Sequence, residues 1–269
     1  MLKKLKNLSM LYKKKKDKIL YLKKGYIIKD IFSNNIDFLK ITDELKSDIN
    51  FNYNKNYNNL KKLGGFKSGN LNFISKLHSN KIIKLLNKNN FKNYFNFITN
   101  DDIQNYKMIL GGNLNLPNSK NQFFHTDGNW NPRMIIINIA TSDIDLKNGP
   151  TEIIESSHKK NIAYWKFALK LFFLKKRKIF LKKGQIIFRE HRLWHRGTSN
   201  KTEKIREMIG IMFIKNKSHT NISIKKKDNK IFMFSNIFRN SKKERLKEHI
   251  FLKFRSIFFL YKFLASVIK

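Results

Sequence analysis

The chain has 269 residues, a length that suits one large domain or two small ones and lets a core bury roughly three quarters of the unfolded surface. Hydrophobic residues make up 41% and include 24 Phe, which excludes disorder along the whole length. Cysteine is absent, which excludes disulfide scaffolds, thiolate zinc sites, iron–sulfur clusters and cysteine nucleophiles, and leaves His and carboxylates to hold any metal.

The formal net charge of +38 would attract phosphate polymers and anionic membranes. Of 57 basic residues, however, 48 are Lys and 9 are Arg, beside 34 Asn, the bias that AT-rich coding produces. A reader of bases or phosphates would favour the planar fork of Arg, so nucleic acid is disfavoured as a partner. The rare residues locate the chemistry instead. All three prolines, Pro117, Pro132 and Pro150, fall within 34 positions, and five of the nine arginines lie between Arg177 and Arg206. Met1–Lys18 is lysine-rich without an apolar stretch of signal-peptide length, and no run of about 18 uncharged apolar residues occurs, so a cytoplasmic protein is expected.

In chain order, Lys3–Lys24 reads as a basic helix, followed by Gly25 as a turn residue and a short strand that begins at Tyr26. Asp37–Leu45 suits a short helix, and Asn50–Lys62, written almost entirely in Asn, Lys and Tyr, reads as a low-complexity loop. Gly64–Asn70 signals a turn or a backbone held close to something else, its Lys misplaced for a phosphate-cradling loop. Ser75–Asn89 carries apolar residues at 77, 82, 85 and 86 and reads as a helix. From 106 onward seven strand candidates follow: Tyr106–Leu110, Phe123–Asp127, Met134–Ala140, Glu152–Glu155, Lys178–Leu181, Gln185–Arg189 and Arg206–Ile214. Short strands at this density, without alternating helices, point to a sandwich, jelly roll or barrel. Ile162–Lys175 reads as a helical insert. Lys242–Lys269 reads as a basic amphipathic helix, with apolar residues at 246, 250, 254, 257, 261, 264 and 268, that can pack on the barrel, pair with a second copy or lie on an anionic membrane.

Phe123-Phe-His-Thr-Asp-Gly places His125 and Asp127 two apart, and in a strand such side chains face one side. Alone, that spacing is a common accident. Seventy residues after His125, Leu193-Trp-His-Arg-Gly supplies His195 at the end of a strand. Two imidazoles and one carboxylate on one face of an ion form the facial triad, which leaves positions open on iron(II) for a co-substrate and dioxygen. His191 competes with His195 for this place, and the Gly197 turn and the distance to Arg206 favour His195. Arg206 has two readings. It grips the far carboxylate of a dicarboxylate such as 2-oxoglutarate through two parallel hydrogen bonds, or it lies on the surface beside Glu203 or Glu207. Trp130 and Trp194 adjoin the ligands and could wall a pocket, with core packing the safer reading for Trp194. His158 reads as a solvated loop histidine, with the substrate mouth as its alternative.

These runs together, His125-Thr-Asp127, then Asn148-Gly-Pro-Thr-Glu-Ile-Ile-Glu-Ser-Ser-His158-Lys, then Lys183-Gly-Gln-Ile-Ile-Phe, then Leu193-Trp-His195-Arg-Gly, then Arg206, resemble the phytanoyl-CoA dioxygenase family. The likeness covers roughly residues 20–215, including the strand Lys24-Gly-Tyr-Ile-Ile-Lys. It implies a mainly β protein with flanking helices around a double-stranded β-helix (jelly-roll, cupin-like) core, and an oxygenase dependent on Fe(II), 2-oxoglutarate and O2. By this resemblance His125, Asp127 and His195 are the iron ligands, Arg206 is the 2-oxoglutarate clamp, and Asn113 and Asn138 flank the co-substrate. Ser156-Ser157-His158 departs from the family's Pro-Gly-Ser-His, which bears on the shape of that turn.

The expected organisation is a basic N-terminal helix over 1–20, an oxygenase domain over 21–215 and a C-terminal extension over 216–269. The expected reaction is hydroxylation of a small or lipid-like metabolite with release of succinate and CO2. Halogenation is disfavoured, because related halogenases lack the carboxylate that Asp127 supplies. One rival is a non-catalytic barrel that binds anionic membrane or an acidic polymer. A cupin-like metal enzyme without 2-oxoglutarate is another, and it would have no use for Arg206. The partners expected are a small-molecule substrate, a second copy in a homo-oligomer and, through the C-terminal helix, peripheral contact with the inner membrane surface.

Overall fold

The computed structural model describes residues 2–128, 130–215, 231–235 and 254–267. Its helices are α1 (Leu2–Lys24), α2 (Ile36–Lys55), α3 (Tyr57–Leu60), α4 (Gly64–Ser68), α5 (Lys76–Lys88), α6 (Phe91–Thr99), α7 (Tyr164–Lys170) and α8 (Arg255–Val267). Its strands are β1 (Tyr26–Asp30), β2 (Asn70–Ile74), β3 (Tyr106–Asn115), β4 (Met134–Ala140), β5 (Thr151–Ile154), β6 (Lys176–Ile179), β7 (Gln185–Glu190), β8 (His195–Gly197), β9 (Arg206–Lys215) and β10 (Phe232–Phe234). Among the described residues they form a seven-stranded sheet in the order β1-β7-β4-β9-β3-β2-β10 and a three-stranded sheet in the order β6-β5-β8. The pairings are antiparallel, and isolated bridges His125↔His195 and Ile144↔Leu181 lengthen the smaller sheet's side. This is the expected jelly-roll core with flanking helices.

Alternation along the strands of the larger sheet creates two cores. Ile135, Ile137, Ile139, Ile186, Phe188, Ile209, Ile211 and Phe213 face outward into a cluster with the buried faces of α2, α5 and α6. Phe95 of α6 sits at its centre, with ring contacts to Tyr106, Phe188 and Phe213, and truncation to Ala there would cost about 3–5 kcal/mol. The opposite faces turn inward, where Ala140, Ile187 and Met208 meet Ile153, Ile179, Leu181 and Leu193 from the side of the smaller sheet. Polar side chains at the remaining inward positions are therefore free to build a site.

Two expectations change. Asn50–Lys62, read as a loop, is largely helical: α2 runs to Lys55 and α3 follows. Ile49 and Leu60 are buried, and Tyr53 and Tyr57 pack on Phe66, so an apolar helical spacing lay hidden beneath the Asn and Lys composition. Gly64–Asn70, read as a turn, contains α4, which ends at Gly69 in the left-handed region (φ 77°) before β2 begins. A Cβ at Gly69 would lie 2.3 Å from the Ser119 Cβ, so only glycine fits.

The terminal elements are tied to the barrel. Tyr21 near the end of α1 donates from its hydroxyl to Glu190 (2.7 Å), which Arg133 also grips at 2.6 Å. β10 pairs with the outer edge of β2 and buries Ile231 and Met233 in the larger core, so part of the C-terminal extension belongs to the sheet. Of the amphipathic stripe, positions 246, 250 and 268 lie outside the described residues, Phe254 immediately precedes α8, and α8 carries Ile257, Tyr261 and Leu264. Among the described residues no helix is long and apolar enough to cross a membrane.

Candidate metal centre

His125 and Asp127 sit on an extended segment rather than in a full strand. His125 makes a single β-bridge to His195, its amide donating to the His195 carbonyl (2.9 Å) and the reverse bond measuring 3.0 Å. Two residues on, the Asp127 amide donates to the His191 carbonyl (2.9 Å). The segment is thus laid along β8 and the turn before it, which brings the distant halves of the motif together. One ligand atom each from His125, Asp127 and His195 lies within 4.8 Å of the others, and among the described residues this is the one cluster able to hold a metal ion.

The residues fit a metal in their hydrogen bonding as well. Each imidazole donates Nδ1–H to the carbonyl two residues earlier, His125 to Phe123 (2.8 Å) and His195 to Leu193 (2.9 Å). A carbonyl only accepts, so Nδ1 carries the proton and the lone pair of Nε2 faces the site. Asp127 lies between them, Oδ1 3.9 Å from His125 Nε2 and Oδ2 3.5 Å from His195 Nε2. Burial, assisted by the nearby Arg189 cation, pushes the His195 pKa down to about 3, and burial also lowers that of His125. Burial acts to raise Asp127, but the adjacent Arg189 cation outweighs it and holds the carboxyl well below its usual range. Both imidazoles are neutral and the carboxylate is charged at neutral pH, the protonation state that metal binding requires.

Two buried arginines and two partly buried asparagines complete the inner face. Arg206, at the start of β9, is 5% exposed. Its Nη1 donates to Asn113 Oδ1 (3.0 Å) on β3 and its Nη2 to the Gly149 carbonyl (3.1 Å), while buried Nε has no partner. Burial pushes its pKa down to about 10, opposed by Glu207, so it stays charged at neutral pH. The alternative of a surface arginine paired with Glu203 or Glu207 is overturned, because inward alternation on β9 buries Arg206 and among the described residues it forms no salt bridge. Asn138 of β4 accepts from Arg189 Nε (3.3 Å), and Arg189 Nη2 lies 2.7 Å from Asp127 Oδ2. Arg189 was not singled out from the sequence. The available signal was its place among the clustered arginines and at an inward position of Gln185–Arg189.

The remaining candidates separate cleanly. His191 is fully buried, with Nδ1 against the Met134 amide and carbonyl (3.0 and 2.8 Å); it is a core residue whose backbone positions Asp127. His158 keeps partial exposure and lies outside the cavity wall described below. It packs half-buried on Gly25, where a Cβ would lie 2.4 Å from its Nδ1. Trp194 stacks on Phe167 (3.7 Å, 6°) in a small core of its own, and Trp130 lies under the Arg192 guanidinium. Ser156 takes the left-handed conformation (φ 65°), a region that glycine enters without the steric cost a side chain brings.

Beside the centre is a cavity of about 190 Å³ whose wall includes Lys120, Gln122, Phe123 and His125, with Phe258 and Lys262 contributed by α8.

Comparison with known proteins agrees with this geometry. Among solved structures, the non-heme alpha ketoglutarate dependent epimerase SnoN from nogalamycin biosynthesis superposes with a TM-score of 0.58 at 13% identity, covering 76% of this chain and 81% of that one. EvdO2 from Micromonospora carbonacea var. aurantiaca, complexed with 2-oxoglutarate, gives 0.53 at 13% identity over 74% and 90%. EctD from S. alaskensis with bound Fe gives 0.53 at 14% over 74% and 76%. At these identities the likeness is one of fold. No curated protein matches the chain by sequence. The profile of the phytanoyl-CoA dioxygenase (PhyH) family matches residues 48–208, more than half of the chain and all three candidate ligands. With the fold, the ligand cluster and this match in agreement, the chain belongs to the phytanoyl-CoA dioxygenase family.

Proposed function

We propose that this protein is an Fe(II)- and 2-oxoglutarate-dependent dioxygenase that hydroxylates a small or lipid-like metabolite. The balance is one 2-oxoglutarate, one O2 and one substrate C–H giving succinate, CO2 and a substrate C–OH. His125, Asp127 and His195 would hold the iron, whose chemistry when bound is the activation of dioxygen.

The observation that carries the 2-oxoglutarate reading is Arg206. A buried, charged guanidinium whose partners are two neutral oxygens, with Nε left over, calls for an anion. A carboxylate of 2-oxoglutarate supplies it, and Asn113 holds the fork in place. Asn138 orients Arg189, and Arg189 keeps Asp127 ionised, so the ligand carboxylate is ready without a proton to lose. Phe123 and Phe258 restrict water in the cavity wall, while Lys120 and Lys262 favour a substrate with an anionic group.

Purified enzyme reconstituted with Fe(II) should release succinate from 2-oxoglutarate, and a metabolite screen for stimulation of that release identifies the substrate. Incorporation of an O2-derived oxygen atom into the product establishes hydroxylation. A product isomerised or cyclised without new oxygen would replace hydroxylation with another outcome of the same chemistry, and absence of iron-dependent succinate release would sink the enzymatic reading.

A further inference from the structure

The turn that ends α7 holds two adjacent phenylalanines in solvent, Phe172 at 95% and Phe173 at 91% exposure. It is an ordered turn. The Leu171 amide donates to the Ala168 carbonyl (3.3 Å) and the Phe173 amide to the Lys170 carbonyl (2.9 Å). Its base is anchored by the stack of Phe167 on Trp194, next to the ligand His195. α8 packs against α7, with the Trp165 amide donating to Ser266 Oγ (2.9 Å) and the rings of Tyr164 and Phe259 in contact, and it exposes Ile257, Leu260, Tyr261 and Leu264.

The chain that carries these side chains is strongly basic. From Ser156 to Arg189 the sequence has eleven Lys and Arg and no Asp or Glu, and α8 also lacks acidic residues. Lys166, Lys170, Lys175, Lys176 and Lys178 are exposed. Exposed apolar side chains flanked along the chain by exposed lysines match a bilayer interface, where rings enter the headgroup boundary and ammonium groups meet anionic lipid. A second copy of the chain would fit the apolar area, but two molecules of +38 each repel, whereas the same field attracts an anionic surface.

We infer that the α7 turn and α8 dock on an anionic lipid bilayer, with Phe172 and Phe173 entering the interface. The docked helix is also the one that gives Phe258 and Lys262 to the cavity wall beside His125, so the membrane contact adjoins the pocket. The docking holds whichever reaction the centre performs.

Co-sedimentation tests this with the full chain and vesicles of phosphatidylcholine alone or of equimolar phosphatidylcholine and phosphatidylglycerol. Binding is expected to the anionic vesicles only and to weaken with salt. The double variant F172S/F173S, which alters no buried residue, should keep the wild-type circular dichroism and metal binding but lose affinity for anionic vesicles by about tenfold or more. In a separate variant, Phe172→Trp, the indole emission should shift to the blue on adding those vesicles. Wild-type protein that ignores anionic vesicles overturns the proposal. So does F172S/F173S binding as well as wild type, which would leave charge alone as the cause, and so does a wild-type dimer that the double variant converts to monomer, which would make a second copy the occupant.

Discussion

The guanidinium of Arg189 lies 2.7 Å from the carboxylate of Asp127, joining β7 of the larger sheet to the segment that bridges to β8. The pair places a fixed cation where a metal ion would also draw on Asp127. In the metal-free protein Arg189 balances a carboxylate beside two imidazoles, and a divalent ion would share or take over that role. Arg189→Gln should therefore lower the stability of the metal-free protein by about 1–3 kcal/mol, below the full cost of breaking a buried pair because Asp127 keeps some solvent. Thermal unfolding with and without Co(II) should show a larger metal-induced rise in Tm for the variant than for wild type. Equal rises would mean that Arg189 and the metal do not compete at Asp127.

His195 and His191 make a matched pair of substitutions. His195→Ala removes one of the three protein ligands and should abolish metal binding while the barrel stays folded, as should Ala at His125 or Asp127. His191→Ala should retain the metal but lose about 2 kcal/mol of stability, because a buried ring bonded to the Met134 backbone is removed. Metal titration and denaturant unfolding of both variants check this, and exchanged phenotypes would reverse the assignment.

Arg206→Lys keeps the charge and loses the fork. Affinity for 2-oxoglutarate in the metal-loaded protein, measured by anaerobic titration calorimetry, should fall by about 1.5–3 kcal/mol. Affinity for the metal should hardly change. An unaltered 2-oxoglutarate titration would remove Arg206 from the binding site.

Gly25 joins α1 to β1 at φ 85°, and a Cβ there would meet His158 and the Leu193 side chain at 2.4–2.9 Å. Gly25→Ala combines backbone strain with a clash on both neighbours and should cost about 2 kcal/mol or more, read as a lower Tm. A neutral result would show that His158 swings away freely.

Short apolar runs separated by turn residues carried the β class in the sequence, because alternation and turn chemistry are local. The cluster of His125, Asp127 and His195 was legible for a related reason: few residue types ligate a metal, and in a chain without cysteine the choice narrowed to spacings. Arg206 could not be settled that way. Its distance from His195 allowed both a clamp and a surface residue, and only the pairing of β9 between β4 and β3 turns its side chain inward to Asn113 and Gly149. α6 and β2 drew no reading, the first too short for its periodicity to stand out and the second adjoining a glycine-rich stretch.

What the sequence determined alone is the set of chemical groups available and the faces on which alternation lays them. What only the tertiary structure decided is which of those groups meet. The reciprocal backbone bonds between His125 and His195 close a separation of seventy residues, the Arg189–Asp127 pair joins two segments that no local pattern relates, and the packing of α8 on α7 places a terminal helix at the wall of the pocket. Contacts of this kind depend on how the sheets stack and which strands become neighbours, a property of the whole chain that is not encoded in any one window of it.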